Sequence, residues 1–170
     1  MRPVIHKQMV REHLTIYGAV EPRTGDFFYM IEPKFVPKKS RRRRRKRGAH
    51  KKKIKNKPDG WKSRQMNEFM QRLANAYPDD IIVLVCDKAW WHNSQYNVTP
   101  DSVRKILLPP CSPEMNPIEQ LWRELRTSGF HNKYFNTLDA VENNLHHTIA
   151  NTTSDKIRSI TQRDWFMKNN

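Results

Sequence analysis

The sequence predicts an α/β fold in a single domain that spans residues 1–170, and three observations support this. Residues 13–31 read as a β-hairpin, residues 81–86 as an unbroken apolar strand, and residues 116–162 as a series of helices. Strands therefore come first and helices last, with one strand-to-helix unit between them. The length of 170 residues suits one ordinary domain.

The hairpin is predicted from β-branched and aromatic residues on both sides of a turn. Its strands are His13–Val20 and Asp26–Ile31, and the turn is Glu21-Pro-Arg-Thr-Gly25. Proline and glycine favour a chain reversal at this point, so the two strands are expected to pair side by side.

A helix and two strands are predicted in the middle of the chain. The helix begins near Trp61, takes Ser63 as its cap, and ends before Pro78. The strand Ile81–Cys86 is apolar at every position, which is typical of a central strand covered on both faces. A second short strand is predicted at Ile106–Leu108. The buried side of the helix is an apolar stripe at helical spacing, made of Met66, Phe69, Met70, Leu73 and Tyr77.

Three helices are predicted in the last third of the chain. The first begins with Asn116 as N-cap and Pro117 at the first helical position. The other two span about residues 137–150 and 154–162, inside a C-terminal helical part of residues 130–170. The residues expected to face the core are Ile118, Leu121, Trp122, Leu125, Leu138, Val141, Leu145, Ile149, Ile157 and Ile160.

Positive charge is concentrated in one segment. The formal net charge is +15, and residues 38–57 hold 14 basic residues and no acidic ones, which leaves 18 basic and 17 acidic residues in the remaining 150. Self-repulsion and the lack of apolar side chains predict that residues 37–60 form an inserted, disordered loop.

Several classes of protein are excluded by composition. The longest aliphatic run, Ile81–Val85, is far shorter than the roughly 20 residues of a membrane-spanning helix, and the polar N-terminus does not resemble a signal peptide. Two cysteines, Cys86 and Cys111, make neither a disulfide framework nor a four-ligand zinc site, and they suit a reducing compartment. We therefore expect a cytoplasmic protein.

Two acidic residues stand at positions where chemistry is often placed. Asp87 follows the apolar strand directly, at the end where α/β folds bind their ligands, although such an aspartate can also simply start a turn. Glu119 is the third helical residue after Asn116, where it either completes a capping box or, with Asp87, holds a hard divalent cation. The two roles of Glu119 are compatible.

Two longer motifs carry a resemblance to a known family. They are Ile81-Ile-Val-Leu-Val-Cys-Asp-Lys-Ala-Trp-Trp-His92 and Leu107-Leu-Pro-Pro-Cys-Ser-Pro-Glu-Met-Asn-Pro-Ile-Glu-Gln-Leu-Trp122. With Tyr17-Gly-Ala-Val-Glu-Pro22 and the terminal Ser159-Ile-Thr-Gln-Arg-Asp-Trp165, they resemble the DDE transposases of bacterial insertion sequences on the mariner-like branch. Apart from the basic segment, the resemblance covers most of the chain.

The resemblance implies an RNase H-like fold and DNA transposition. In such enzymes an Asp, Asp and Glu triad binds two Mg²⁺ or Mn²⁺ ions for DNA strand cleavage and transfer. Asp87 matches the second acid and Glu119 the third. His92, five residues after the acid, is expected to position DNA or to support the ligands, as are Lys88 and Asn116.

The sequence also departs from this family. The strand that carries the first acid is expected upstream of the hairpin and is missing, as are the helix-turn-helix domains that find transposon ends. The chain therefore resembles the C-terminal part of a transposase, an RNase H-like fold without its first central strand. The sequence permits, but does not show, a separately translated upstream fragment that supplies both this strand and its Asp. Lys88 is unusual directly after the Asp, where an ammonium group either competes with a metal or contacts a phosphate.

The basic segment is expected to bind nucleic acid without sequence preference. Its cations suit phosphates, so the expected partners are DNA, as transposon ends and as target, and RNA bound non-specifically. A second copy of the chain or the upstream fragment is also an expected partner. The alternative function is a non-catalytic nucleic-acid-binding protein that works through this segment. The remaining alternatives are a solvated charge run, a nuclear-localisation signal and an out-of-frame stretch of a decaying gene; a bacterial, nucleoid-associated location is expected from the resemblance. The binding residues are Lys38, Lys39, Arg41, Arg42, Arg43, Arg44, Arg45, Lys46, Arg47, Lys51, Lys52 and Lys53.

Overall fold

A computed structural model describes residues 13–32, 60–89, 92, 94–110 and 112–162. Within these ranges the mixed α/β class predicted from the sequence is confirmed. A short 3-10 turn at Pro113–Met115 precedes the second helix, and a π-helical turn at Arg126–Phe130, which the sequence did not predict, follows it. The strands and helices are β1 (Ile16–Glu21), β2 (Asp26–Ile31), α1 (Trp61–Ala76), β3 (Ile82–Cys86), β4 (Val103–Leu107), α2 (Pro117–Leu125), α3 (Leu138–Ala150) and α4 (Ser154–Thr161).

The predicted hairpin is present and its turn contacts α4. β1 pairs with β2 antiparallel, from Ile16 opposite Ile31 to Glu21 opposite Asp26. The turn closes with a hydrogen bond from the Gly25 N–H to the Glu21 carbonyl at 2.9 Å, and Gly25 has a φ of 75°. A methyl group at Gly25 would lie 2.1 Å from the carbonyl oxygen of Ser154, so glycine is needed both for the backbone and for this contact.

The second pair of strands is parallel. β3 pairs with β4 from Ile82 opposite Val103 to Cys86 opposite Leu107. β4 begins three residues earlier than the predicted Ile106–Leu108 strand, because the polar Arg104 and Lys105 hid its first half from a search for apolar runs. β3 and β4 run in the same direction, so their carboxyl ends lie at the same edge of this sheet.

Two hydrophobic cores lie on opposite faces of the hairpin. On one face, Met30 packs with α1 and with Leu84 of β3. On the other face, Val20 and Phe27 pack against the core residues of α2 and α4. The first core consists of Met30, Met66, Phe69, Met70, Leu73, Ala74, Leu84 and Val103, and the second is built on Leu121, Leu125 and Ile157.

Two sequence predictions are wrong in detail. Ser63 does not cap α1: the N-cap is Gly60, which has a left-handed backbone with φ 74°, and Ser63 is buried inside the first turn. β3 is not covered on both faces, since Val83 is 57% exposed. The reason is that α1 covers only the face that carries Ile82 and Leu84.

The position of α2 depends on a glycine in β1. A methyl group at Gly18 would lie 2.7 Å from the indole ring of Trp122 on α2 and 2.8 Å from the ring of Phe27. The aromatic rings of Phe27 and Trp122 meet edge to face, with centroids 5.8 Å apart. The missing side chain of Gly18 therefore lets α2, which carries Glu119, lie directly on the hairpin.

Among the described residues, none of the helices is long and apolar enough to cross a membrane. Of the predicted loop of residues 37–60, only Gly60 is described; residues 37–59, with all the basic residues from Lys38 to Lys53, lie outside the described residues.

Candidate functional site

Asp87 lies at the carboxyl end of β3, as the sequence predicts. Its side chain is 61% exposed, and its Oδ1 atom accepts a hydrogen bond from the Ala89 N–H at 2.9 Å. The turn that follows the strand is therefore built on this carboxylate. The turn-forming role and a ligand role are compatible, because within the described residues no hydrogen bond reaches the other oxygen, Oδ2.

His92 holds Asp87 in place. The Nδ1 atom of His92 is 2.7 Å from the Asp87 Oδ1 atom and 3.0 Å from the Asp87 backbone oxygen, and the imidazole is only 17% exposed. A partly buried ring that contacts both the side chain and the backbone of one residue restricts the rotation of that side chain. The structure thus brings together two of the residues that the sequence singled out.

Two residues that the sequence analysis missed support His92 in turn. Lys105 of β4 donates from Nζ to the His92 backbone oxygen at 3.1 Å, and the Asn97 side-chain amide donates to the same oxygen at 2.9 Å. No sequence signal marks Lys105, because it follows Arg104 in a strand that mixes polar and apolar residues.

Glu119 is the third residue of α2, and Asn116 is the N-cap residue of this helix. The Glu119 N–H bonds the Asn116 backbone oxygen at 3.1 Å, but the Asn116 side chain makes no capping hydrogen bond. Glu119 is exposed, and its carboxylate makes no hydrogen bond or ion pair with another described residue. The capping box that the sequence allowed is therefore not formed, and the carboxylate is available to a ligand.

The start of α2 and strand β3 line one cavity of about 530 Å³, together with β1. Residues 81–85 form one wall, residues 116–118 another and residues 18–24 a third. In sequence, Asp87 lies two residues after Val85, the last β3 residue that lines the cavity. Glu119 comes directly after Ile118, the last α2 residue that lines it. The cavity is lined mainly by apolar side chains and by the edges of two strands.

A complete metal site is not present among the described residues, where no group of three or more His, Cys, Asp and Glu side chains is placed to hold an ion. Asp87 and Glu119 are at most two of the ligands. Burial raises the pKa of the Cys86 thiol, with a smaller rise from the neighbouring Asp87 carboxylate and an opposing effect from Lys105.

The structure describes two more of the residues predicted to support the site, Lys88 and Asn116. Lys88 is exposed next to Asp87, and Asn116 is partly buried at the cavity wall. Nothing in the structure tests the roles predicted for these two residues or for His92, so those roles stay predictions. The basic residues between Lys38 and Lys53 are outside the described ranges.

Comparison with known proteins gives the class of the protein. The DDE superfamily endonuclease family matches residues 49–142, which hold β3, β4, α2 and both candidate acids. The chain belongs to the DDE superfamily endonucleases. Membership of this family implies a DNA substrate and the use of divalent metal ions.

One curated relative is also similar over much of its length. It is the "Uncharacterized protein y4pE/y4sA" of Sinorhizobium fredii (strain NBRC 101917 / NGR234), which is 33% identical over 106 residues. The match covers 59% of this chain and 76% of that protein. No solved structure matches the chain.

Proposed function

We propose that this chain supplies most of the catalytic domain of a DDE transposase, which cleaves and joins DNA strands with Mg²⁺ or Mn²⁺. The observation that carries the proposal is the exposed Asp87 carboxylate at the end of a parallel strand, held by the partly buried His92 ring at 2.7 Å. Ligands of α/β folds bind at this edge, and a fixed carboxylate is what a metal site requires. Membership of the DDE superfamily supports the same assignment.

The residues present fit a magnesium site in part. Mg²⁺ is usually held by one or two carboxylates and completed by water and substrate phosphates, and Asp87 and Glu119 are such carboxylates. Both are exposed, and the Asp87 Oδ2 atom and the Glu119 carboxylate have no partner among the described residues. When bound, a pair of metal ions stabilises the attacking and leaving oxygens of an in-line displacement at phosphorus.

The chain's own groups prepare the site for that reaction. His92 restricts the Asp87 side chain, so one carboxylate oxygen is held by the protein and the other faces solvent. Lys105 and Asn97 fix the loop that carries His92. Lys88 directly follows Asp87 and is exposed, and we propose that it contacts a DNA phosphate.

We further propose that an additional strand completes the domain. Within the described residues, β1 pairs only with β2 and β3 only with β4, and residues of both β1 and β3 line the 530 Å³ cavity. Unpaired strand edges readily accept an additional strand. The resemblance to DDE transposases implies a strand with the first catalytic Asp at this place.

The first experiment measures nicking of supercoiled plasmid DNA with Mg²⁺ or Mn²⁺. The chain is tested alone and together with a segment that supplies the additional strand and its Asp, either fused to the N-terminus or added separately. We expect nicking only when that segment is present, and its loss with Asp87→Asn or Glu119→Gln. The matched controls Asp79→Asn and Glu114→Gln remove exposed acids near each candidate and are expected to keep the activity.

Two outcomes would contradict the proposal. If Asp87→Asn nicked DNA as well as Asp79→Asn in the same mixture, Asp87 would not be a catalytic ligand. If no mixture nicked DNA while the chain bound DNA tightly and independently of Asp87, the non-catalytic nucleic-acid-binding function would replace the proposed one.

A further inference from the structure

The described part of the loop between β3 and β4 is held mainly by hydrogen bonds. Two of its large apolar side chains, Tyr96 and Val98, are 64% and 72% exposed. Burial of these side chains therefore contributes little to the position of the loop. The loop carries His92, which contacts the Asp87 carboxylate, so the groups that bond the loop also decide where that contact forms.

Asn67 of α1 is one of these groups, and it bonds the loop at two places. Its side-chain nitrogen donates to the Tyr96 carbonyl at 2.9 Å, and its side-chain oxygen accepts from the Val98 N–H at 3.0 Å. One amide group thus binds the peptide units on both sides of Asn97, as a neighbouring β-strand would. The two partners lie 29 and 31 residues after Asn67 in the sequence, so no local pattern reveals this contact.

The hydrogen bonds of Asn67 continue through the loop to Asp87. The Asn97 side chain, which lies between the two bonded positions, donates to the His92 backbone oxygen at 2.9 Å. The His92 N–H donates to the Ala89 backbone oxygen at 2.8 Å, and the His92 ring lies 2.7 Å from the Asp87 Oδ1 atom. A series of polar contacts therefore connects helix α1 with the carboxylate of the candidate site.

Asn75, which lies about two turns further along α1, offers a direct comparison. It is exposed, and its side-chain oxygen accepts a hydrogen bond from Gln71 of the same helix at 3.1 Å. Among the described residues, the Asn75 side chain makes no hydrogen bond to a loop. The two asparagines share a helix and a residue type, and they differ in whether they hold the loop.

We infer that Asn67 is a positioning residue for the metal site, acting through the loop and His92 on Asp87. The inference rests on the proposed function, in which Asp87 binds a divalent metal ion. A carboxylate that the protein already holds loses less conformational freedom when it binds the ion, so the hydrogen bonds of Asn67 raise the metal affinity. Asn67 itself touches neither the ion nor the DNA.

The first measurement needs neither metal nor DNA. Amide hydrogen exchange of the full chain is followed by NMR in Asn67→Ala and in the matched control Asn75→Ala. Alanine favours the helix at both positions, so α1 is not weakened. In Asn67→Ala the His92 and Asn97 amides are expected to exchange about 5- to 150-fold faster, because two hydrogen bonds that hold the loop are lost. Neither amide bonds Asn67 directly, so faster exchange reports the loop as a whole.

The second measurement is metal affinity, with the segment that supplies the additional strand present. Binding of Mn²⁺ is followed by electron paramagnetic resonance, and nicking of supercoiled plasmid DNA is followed over the same Mn²⁺ concentrations. Asn67→Ala is expected to raise the Kd for Mn²⁺ and the concentration for half-maximal nicking by about 10-fold, which is usual for groups that support a metal ligand. The nicking rate is expected to recover at saturating Mn²⁺, because Asn67 holds a ligand and does not react. Asn75→Ala is expected to match the parent chain throughout.

Two further variants complete the design. In an Asp87→Asn background, Asn67→Ala is expected to have no further effect on Mn²⁺ affinity, since both changes act on the same ligand. If circular dichroism shows that Asn67→Ala does not fold, Asn67→Gln takes its place. This variant carries the same amide one methylene further from the helix, and it is expected to shift the exchange rates and the Mn²⁺ affinity in the same direction.

Three results would overturn this inference. Equal exchange at His92 in Asn67→Ala and Asn75→Ala would show that the loop is held without Asn67. Faster exchange with unchanged Mn²⁺ affinity would assign Asn67 to the stability of the loop alone. A loss of Mn²⁺ affinity that persisted in the Asp87→Asn background would show that Asn67 acts on another ligand. Failure of the proposed function appears differently, as nicking and Mn²⁺ affinity that Asp87→Asn leaves unchanged.

Discussion

Two glycines with the same backbone conformation provide a test of how the hairpin is attached to the C-terminal helices. Gly25 has φ 75° and Gly60 has φ 74°, so an alanine at either position meets the same left-handed penalty of about 1–2 kcal/mol. Their surroundings differ. A Cβ at Gly25 would lie 2.1 Å from the Ser154 carbonyl oxygen and 3.0 Å from the Arg158 side chain, whereas no atom of the described residues lies within 4 Å of a Cβ at Gly60.

The difference between the two substitutions therefore reports the contact of the turn with α4. Gly60→Ala is expected to lower the free energy of unfolding by about 1–2 kcal/mol, from the backbone alone. Gly25→Ala adds a clash with a backbone carbonyl that cannot rotate away, and such overpacking costs about 1–3 kcal/mol more. In a chain of this size, each kcal/mol lowers Tm by about 3 °C.

Urea unfolding followed by far-UV circular dichroism measures this difference. The m-values of the two variants should agree, because both expose the same surface on unfolding, and the midpoints should differ. Equal losses of stability in Gly25→Ala and Gly60→Ala would refute the reasoning, since the hairpin turn would then not contact Ser154 as the structure shows.

Three further predictions concern other buried or charged groups. Leu121→Ala, at a fully buried core position on α2, is expected to lower the free energy of unfolding by about 2–5 kcal/mol, and a loss below about 1 kcal/mol in urea unfolding would contradict its place in the core. Ser63→Ala is expected to leave stability unchanged or to raise it slightly in the same assay, because the buried Ser63 hydroxyl has no hydrogen-bond partner among the described residues. Partial burial raises the pKa of Glu21, but hydrogen bonds from Thr24 and Arg23 outweigh this effect and hold the pKa below its usual value. The contribution of Glu21 to stability is thus present above the unfolded pKa of about 4.3 and is lost as the pH falls through the lowered pKa, so Glu21→Gln should reduce the loss of stability between about pH 6 and pH 3.

The elements that the sequence predicted well are those set by local signals. The hairpin follows from β-branched and aromatic residues around a turn that ends in Gly25, and α2 follows from Asn116 and Pro117. Asp87 and Glu119 were singled out because a strand end and a helix start are visible in the order of residues. The family could also be recognised from the motifs around these two acids.

The features that needed the structure depend on contacts between residues far apart in sequence. Only the fold shows that one face of β3 is exposed, because coverage depends on which elements pack there and not on how apolar the strand is. Only the fold brings Lys105 to the carbonyl of His92, and Asn67 to the backbone of the same loop. Sequence therefore determined which residues are suited to the chemistry, and tertiary packing decided which of them are held, exposed or open to a ligand.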